Sequence, residues 1–300
     1  MADQAHQVVN RDRWNVIADD YQARNRPQIR EQAFSGEIAW GLWAIPESQL
    51  HVLGEVAGKD VLEFGCGGAQ WSTAVARRGA RPVGLDLSER QLAHARRLRA
   101  ETGISFPLVQ ASGERVPFAD ASFDVVFADH GAFSFADPDR TVPEAARVLR
   151  PGGLLAFSHV SPIFEIATPA GAEHATDRLV HDYFGLHRVP DADGMVNFNL
   201  PYSGWTALFH ANGLVVEELI EPRPARTRSA PTATPRTAPG HAAGPPSASG
   251  GHASGEGGEG AATRACRALA PGSPSPYRGP TPRRRPRLLR PEAVVRRPGR

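Results

Sequence analysis

Val61-Leu62-Glu63-Phe64-Gly65-Cys66-Gly67-Gly68 runs as an apolar strand straight into a glycine turn. Val61 and Leu62 are core-type residues, and Phe64 adds a large apolar body. Gly65 and Gly67 carry no Cβ, so the backbone can turn sharply there and lie close to a ligand. From about Ala69 to Arg78 the pattern is helical, and Gly79 closes it. Strand, glycine turn and helix in that order open a doubly wound α/β nucleotide-binding domain. A Gly-x-Gly by itself fits a plain tight turn equally well, so the flanking segments must decide.

Downstream, Val83-Gly84-Leu85-Asp86-Leu87-Ser88 reads as a second buried strand ending in an acid. Asp86 lies about twenty residues beyond the turn, where such domains place a carboxylate on ribose hydroxyls. Ser88 and Gln91 form a capping box for the next helix. Leu92, Ala95 and Leu98 give that helix its inner face, and Gly103 ends it. To this point a nicotinamide dinucleotide and S-adenosylmethionine fit equally well.

Three further features separate them. An acid precedes the first glycine by two residues, in Glu63-Phe64-Gly65-Cys66-Gly67. The run Val116-Pro117-Phe118-Ala119-Asp120-Ala121-Ser122-Phe123-Asp124-Val125-Val126 follows, and then Arg147-Val148-Leu149-Arg150-Pro151-Gly152-Gly153. In this order and spacing the chain, over roughly residues 10–222, resembles the class I S-adenosylmethionine-dependent methyltransferases. The similarity is to their small-molecule branch, of the UbiE and methyltransferase-11 type. It implies an α/β, doubly wound Rossmann-like sheet, S-adenosylmethionine as cofactor, and in-line methyl transfer to a small-molecule acceptor.

The resemblance also implies roles. Gly65, Cys66 and Gly67 let the backbone approach the methionine and ribose part of the cofactor. Glu63 serves the turn and the amino group. Asp86 takes the ribose hydroxyls and Leu87 packs on the adenine. An acid usually follows the third strand and meets the adenine amino group. Ser112 stands at that place here, beside Gly113, which implies adenine contacts weaker by about 1 kcal/mol. Ala69 replaces the usual third glycine. An N-terminal helix with a Trp and a Tyr covers the cofactor in such proteins, which makes Tyr21 a cofactor candidate.

Periodicity supports that helix independently, because Trp14, Ile17, Ala18 and Tyr21 fall at i, i+3, i+4 and i+7 within residues 10–26. The expected organisation is a helical cap over residues 1–50, a cofactor-binding domain over 51–222 and a tail over 223–300. Within the domain, Ile104–Val109 reads as the third strand and Phe123–Ala128 as the fourth. A helix spans Asp137–Leu149, Leu154–His159 is the fifth strand, a short helix covers 203–212, and Leu214–Ile220 is the sixth strand. Ligands in open α/β sheets bind beyond the carboxyl ends of the strands. That places Asp129 at the cofactor and makes His130 and His159 candidate bases for a hydroxyl or carbon-acid acceptor. Residues 160–200 lose the strand–helix rhythm, and the resemblance implies that this insertion builds much of the substrate pocket.

Charge divides the chain. Residues 1–224 hold 20 Lys+Arg against 29 Asp+Glu, while residues 225–300 hold 14 against 3. That tail contains 13 Pro and 11 Gly and shows no apolar periodicity, so it is read as disordered. Two origins compete for it: a basic arm for an acidic partner, or a slipped reading frame. The second fits a chain with a single lysine, Lys59, among 34 basic residues. No regular seventh strand is legible, which would leave the fifth strand with an open edge. Cys66 and Cys266 suggest neither a disulfide framework nor a metal site. Met1–Asn10 is polar and no long apolar run occurs, so a cytoplasmic protein without a membrane partner is expected. Nucleic acid is not the expected partner, although the basic tail leaves it open. The rival readings are an NAD(P)-dependent oxidoreductase and a non-catalytic cofactor-binding remnant.

Overall fold

A computed structural model describes residues 5–172, 174–222, 263–269 and 293–296. Five parallel strands form the centre of the sheet: β1 (Asp60–Phe64), β2 (Arg81–Asp86), β3 (Leu108–Gln110), β4 (Phe123–Asp129) and β5 (Leu149–Val160). They lie in the order β3-β2-β1-β4-β5, so the strand order reverses between β1 and β4. Both faces of β1 are covered, which explains why Val61, Leu62 and Phe64 are all apolar around the buried Glu63. Leu62 and Phe64 join one core with Val126, Phe133, Phe157 and Phe209. Val61 joins the other with Trp40, Trp71, Val125 and Phe127.

The helices follow their local signals. Helix α2 (Gln70–Arg77) starts at the glycine turn, and Gly79 beyond it takes a φ of +84°. Helix α3 (Glu89–Thr102) is capped by Ser88 Oγ, which accepts from the Gln91 amide at 3.0 Å, and ends at the left-handed Gly103. Beyond the short helix α4 (Gly131–Phe135), helix α5 (Pro138–Val148) is capped by Asp137, whose carboxylate accepts from the Asp139 amide at 3.0 Å. Then come α6 (Pro162–Ala167), α7 (Tyr202–Ala211) and β6 (Val215–Ile220). Two strands differ from expectation. The third is only Leu108–Gln110, because Ile104 and Phe106 pack on the α3 side before pairing with β2 begins. The fifth starts five residues early, since Leu149 already pairs with Phe123.

Among the described residues no single regular seventh strand lies beside β5, but two short segments are described there. Segments β7 (Thr263–Leu269) and β8 (Ala293–Arg296) both run antiparallel to β5 and to β6. They share the position between those two strands: Ala268 and Val295 both face Leu155 on one side and Val216 on the other. Neither segment contains proline, so each can offer its backbone donors and acceptors to the edge without apolar periodicity. The rest of the tail expected to be disordered lies outside the described residues.

The N-terminal helix α1 is longer than expected, Ala5–Ser35, and packs across α2 and α3. Its buried face is largely polar: His6, Asn10, Gln22 and Gln32 accompany Ala18, Ile29 and Ala33. No helix among the described residues is long and apolar enough to cross a membrane.

Candidate functional site

The glycine turn is fixed from three sides. The amides of Gly65 and Cys66 both donate to the Leu85 carbonyl, at 2.8 and 2.9 Å, which ties the turn to β2. The Gly67 amide donates to Asp86 Oδ2 at 2.8 Å, and the Ser88 amide donates to Asp86 Oδ1 at 2.8 Å. Gly65 has a φ of +77°, and a Cβ there would sit 2.5 Å from the Ala132 amide nitrogen. Only glycine fits, because the start of α4 presses directly on the turn.

Above the turn lies a cavity of about 310 Å³ at the carboxyl ends of the strands. Tyr21, Glu63, Gly65, Cys66, Gly67, Asp86, Leu87, Ser112, Gly113 and Asp129 all line it, and so does His130. The ten positions expected at a cofactor are therefore brought to one space. Ser112 Oγ accepts from the Glu114 amide at 3.2 Å, and a Cβ at Gly113 would lie 2.8 Å from Ala132 Cβ. Asp129 Oδ1 accepts from the Gly41 amide at 3.0 Å and from the Ser158 hydroxyl.

The field in this cavity is acidic. Burial pushes the Glu63 carboxyl up to about 8, against two hydrogen bonds from Ser72 that favour its charged form. Burial raises Asp86 to about 6, opposed by the Ser88 and Gly67 amides. Burial, with Asp129 nearby, lifts the Tyr21 hydroxyl to about 12, and burial holds the Cys66 thiol well above its ordinary range. Among the described lining residues there is no Arg or Lys. Acids without a cation suit a ligand that carries a positive sulfur and an ammonium group.

The two histidines part company. His130 lines the cavity with a φ of +59°, and its Nε2 is shut from solvent without a protein partner. A non-glycine residue in that region is strained, and such strain gathers at functional sites. The His130 amide is held by the Ser158 carbonyl and hydroxyl, both at 3.1 Å. His159 does not line the cavity. Its Nε2 lies 3.0 Å from the carbonyls of Phe133 and Phe198, its Nδ1 2.7 Å from that of Val160, and burial lowers it to about 4. Those contacts tie β5 to its neighbours and leave neither ring nitrogen turned to the cavity. Elsewhere, Asp137, Asp139 and His187 bring ligand-type atoms within 4.8 Å of one another, an arrangement that helix capping and the His187–Asp137 hydrogen bond of 3.1 Å explain.

Two lining residues, Gln7 and Asn10 of α1, escaped the sequence reading, while Trp14 of the same helix lines the cavity too. With them stand Phe164, Glu165 and Thr168 near α6 and Asn197, which lies in a two-residue pairing with Val189–Pro190; these four fall within the segment 160–200 expected to form a pocket. Asn10 works like a piece of strand. Its amide donates to the carbonyls of Phe135 and Val196 at 2.7 and 2.8 Å, and it accepts from the Val196 amide at 2.8 Å. Its signal was available: His6, Asn10, Trp14, Ala18 and Gln22 recur every four residues, one face of a helix.

The parallel sheet, with its order reversing at the glycine turn, matches the Rossmann-like fold of methyltransferases. Residues 62–157 match the family described as a methyltransferase domain. The chain is 36% identical over 134 residues to the ubiquinone biosynthesis O-methyltransferase of Azoarcus sp. strain BH72, covering 43% of this chain and 58% of that protein. It is 34% identical over 163 residues to methyltransferase GfsG of Streptomyces halstedii, covering 48% and 57% respectively. It thus spans a little more than half the length of these curated relatives. A crystal structure of an S-adenosylmethionine-dependent methyltransferase from Mesorhizobium loti is similar with a TM-score of 0.51 and 25% identity, over 60% of this chain and 84% of that one. Residues 62–157 thus carry a methyltransferase domain, and the chain is similar to S-adenosylmethionine-dependent methyltransferases.

Proposed function

We propose that this chain binds S-adenosylmethionine over its glycine turn and transfers the methyl group to a small-molecule acceptor. The observation that carries the reading is the cation-free, acid-lined cavity on the turn between β1 and α2. When bound, the cofactor supplies a methyl group already activated by a positive sulfur, so the protein's task is to orient the acceptor and exclude water. Gly65 and Gly67 give the close approach. Asp86, braced by two backbone amides, accepts from the ribose hydroxyls, and Leu87 covers the adenine. Ser112 and Gly113 meet its polar edge. Glu63 holds the first turn of α2 through Ser72. Tyr21 and Asp129 close the methionine end, Tyr21 from α1. Cys66 packs beneath the turn. His130 is the candidate base for an acceptor that must lose a proton. The compartment in this reading is the cytoplasm.

Calorimetric titration of the purified chain with S-adenosylmethionine and with NAD tests the proposal. The former is expected to bind and the latter not, with Asp86→Ala weakening binding by about tenfold or more through two lost hydrogen bonds. Binding of NAD alone, or binding of S-adenosylmethionine that is indifferent to Asp86→Ala, would overturn it.

A further inference from the structure

We infer that Ser158 is a positioning residue for the cofactor: its buried hydroxyl fixes the Asp129 carboxylate that receives the ammonium group of the methionine end. This rests on the methyltransferase reading above and adds to it a residue that does not itself line the cavity.

The place of Ser158 in the sheet gives the first argument. On β5, Leu154 and Ala156 face the core that holds Val61, Trp71 and Phe127. Side chains alternate along a strand, so position 158 continues that apolar row. A serine stands there instead, 1% exposed. A buried hydroxyl costs free energy unless it is paired, so its partners explain its presence. The parallel register sets Ser158 beside Asp129, and its hydroxyl touches the two residues that carry β4 into the cavity, Asp129 and His130.

The direction of the proton gives the second. The His130 amide lies 3.1 Å from Ser158 Oγ and can only donate. The hydroxyl accepts that bond and gives its single proton to Asp129 Oδ1. The Gly41 amide donates to the same oxygen at 3.0 Å. Two donors from separate segments therefore hold one carboxylate oxygen, and the orientation of the group is set before a ligand arrives. Groups held in advance by their neighbours bind without the cost of being ordered.

The backbone separates this role from a general one. The His130 amide also donates to the Ser158 carbonyl at 3.1 Å, a bond that no side-chain substitution removes. Loss of the hydroxyl leaves β4 and β5 joined, and its effect falls on the carboxylate.

The test compares two probes by calorimetry on the full chain. S-adenosylhomocysteine carries the amino-acid end, while 5′-methylthioadenosine shares the nucleoside and lacks that end. Failure of the unchanged chain to bind S-adenosylhomocysteine counts against the cofactor reading and is separate from the role of Ser158. Ser158→Ala should weaken S-adenosylhomocysteine about fivefold or more, the equivalent of one hydrogen bond to a charged group, and change 5′-methylthioadenosine by less than about twofold. In an Asp129→Ala background the same substitution should have no further effect. If thermal melting shows that Ser158→Ala does not fold, Ser158→Cys, similar in shape with a weaker donor, takes its place, and the same selective loss is expected. Equal weakening of both probes, a loss that persists in full without Asp129, or unchanged affinity for both would overturn the inference.

Discussion

Gln22 of α1 donates to Gln91 of α3, Nε2 to Oε1, at 2.7 Å, and the pair lies directly over the glycine turn. A Cβ added to Gly68 would come within 2.7 Å of Gln22 Oε1, and Gln91 Oε1 is 3.8 Å from a Cβ placed on Gly67. The long N-terminal helix is thereby hydrogen-bonded to the lip of the cofactor site at a point where the turn has no side chain.

That contact predicts a coupling between two substitutions. Gly68→Ala should destabilise the chain by about 1 kcal/mol, because the new methyl displaces the Gln22 amide from Gln91. Gln22→Ala alone should cost a similar amount. Together they should cost clearly less than their sum, since the methyl then enters space already vacated. Urea midpoints of the four chains decide it, and strict additivity would show that the turn does not feel α1.

Glu63 predicts a stability that falls as pH rises from 4.5 to about 8. Its carboxyl is raised from 4.5 to about 8, so the folded chain holds a proton that the unfolded chain has released. The stabilisation is full below pH 4.5 and is lost as pH rises through 8, with a limiting slope of about 1.4 kcal/mol per pH unit. His159, lowered to about 4, acts with the opposite sign, but only below its unfolded value near 6.5. Between pH 6.5 and 8 the slope therefore belongs to Glu63, and Glu63→Gln should flatten it in thermal melts. A slope unchanged in that variant would show that the carboxyl is already ionised.

Asp86 ties cofactor affinity to pH on the acid side. Burial raises it to about 6 in the free chain, and ribose hydroxyls donate best to its charged form. Affinity for S-adenosylmethionine should be level above pH 7 and weaken as pH falls through 6, approaching tenfold per unit. Asp86→Asn should bind weakly at every pH and lose the dependence. Calorimetry from pH 5 to 8 reads both outcomes, and equal pH profiles for the two chains would contradict the assignment.

The sequence was a good guide where one local signal sufficed. Gly65, Gly67, the Ser88 cap and the apolar texts of β1 and β4 encode strand, turn and helix within a few residues, and the positions expected at a cofactor fall around one cavity. It was a poor guide where pairing is remote. Asn10 bonds Val196 and Phe135 across more than a hundred residues, and a lone asparagine carries no trace of that. The face of α1 was misjudged because it is polar: apolar periodicity finds Trp14 and Ala18 and passes over His6 and Gln22. His130 and His159 look alike as strand-end histidines. Only the packing of Phe133 and Phe198 around His159 distinguishes them. The pairing of Thr263–Leu269 with β5 rests on backbone groups, which side-chain patterns do not report.

The root of α1 is fixed by a buried charge. His6 Nε2 lies 2.5 Å from Glu114 Oε1, Gln7 donates to Oε2 at 2.6 Å, and the Asp137 amide donates to Oε1 at 2.9 Å. Burial opposes the charged carboxylate, but the bonds from His6 and the Asp137 amide outweigh it and hold Glu114 below its ordinary range. The resulting stability is present above the unfolded value near 4.5 and is lost as pH falls through the lower folded value. His6→Ala should cost about 3 kcal/mol, because it strands a carboxylate out of water. Glu114→Gln in that background should restore part of the loss: the neutral amide still accepts from Asp137 and no charge remains buried. Since Gln7, next to His6, and Asn10, one turn further on, line the cavity, His6→Ala should also weaken acceptor binding more than cofactor binding. A double variant no more stable than His6→Ala, measured by urea unfolding at pH 7, would show that the pair serves packing and that its charge is incidental.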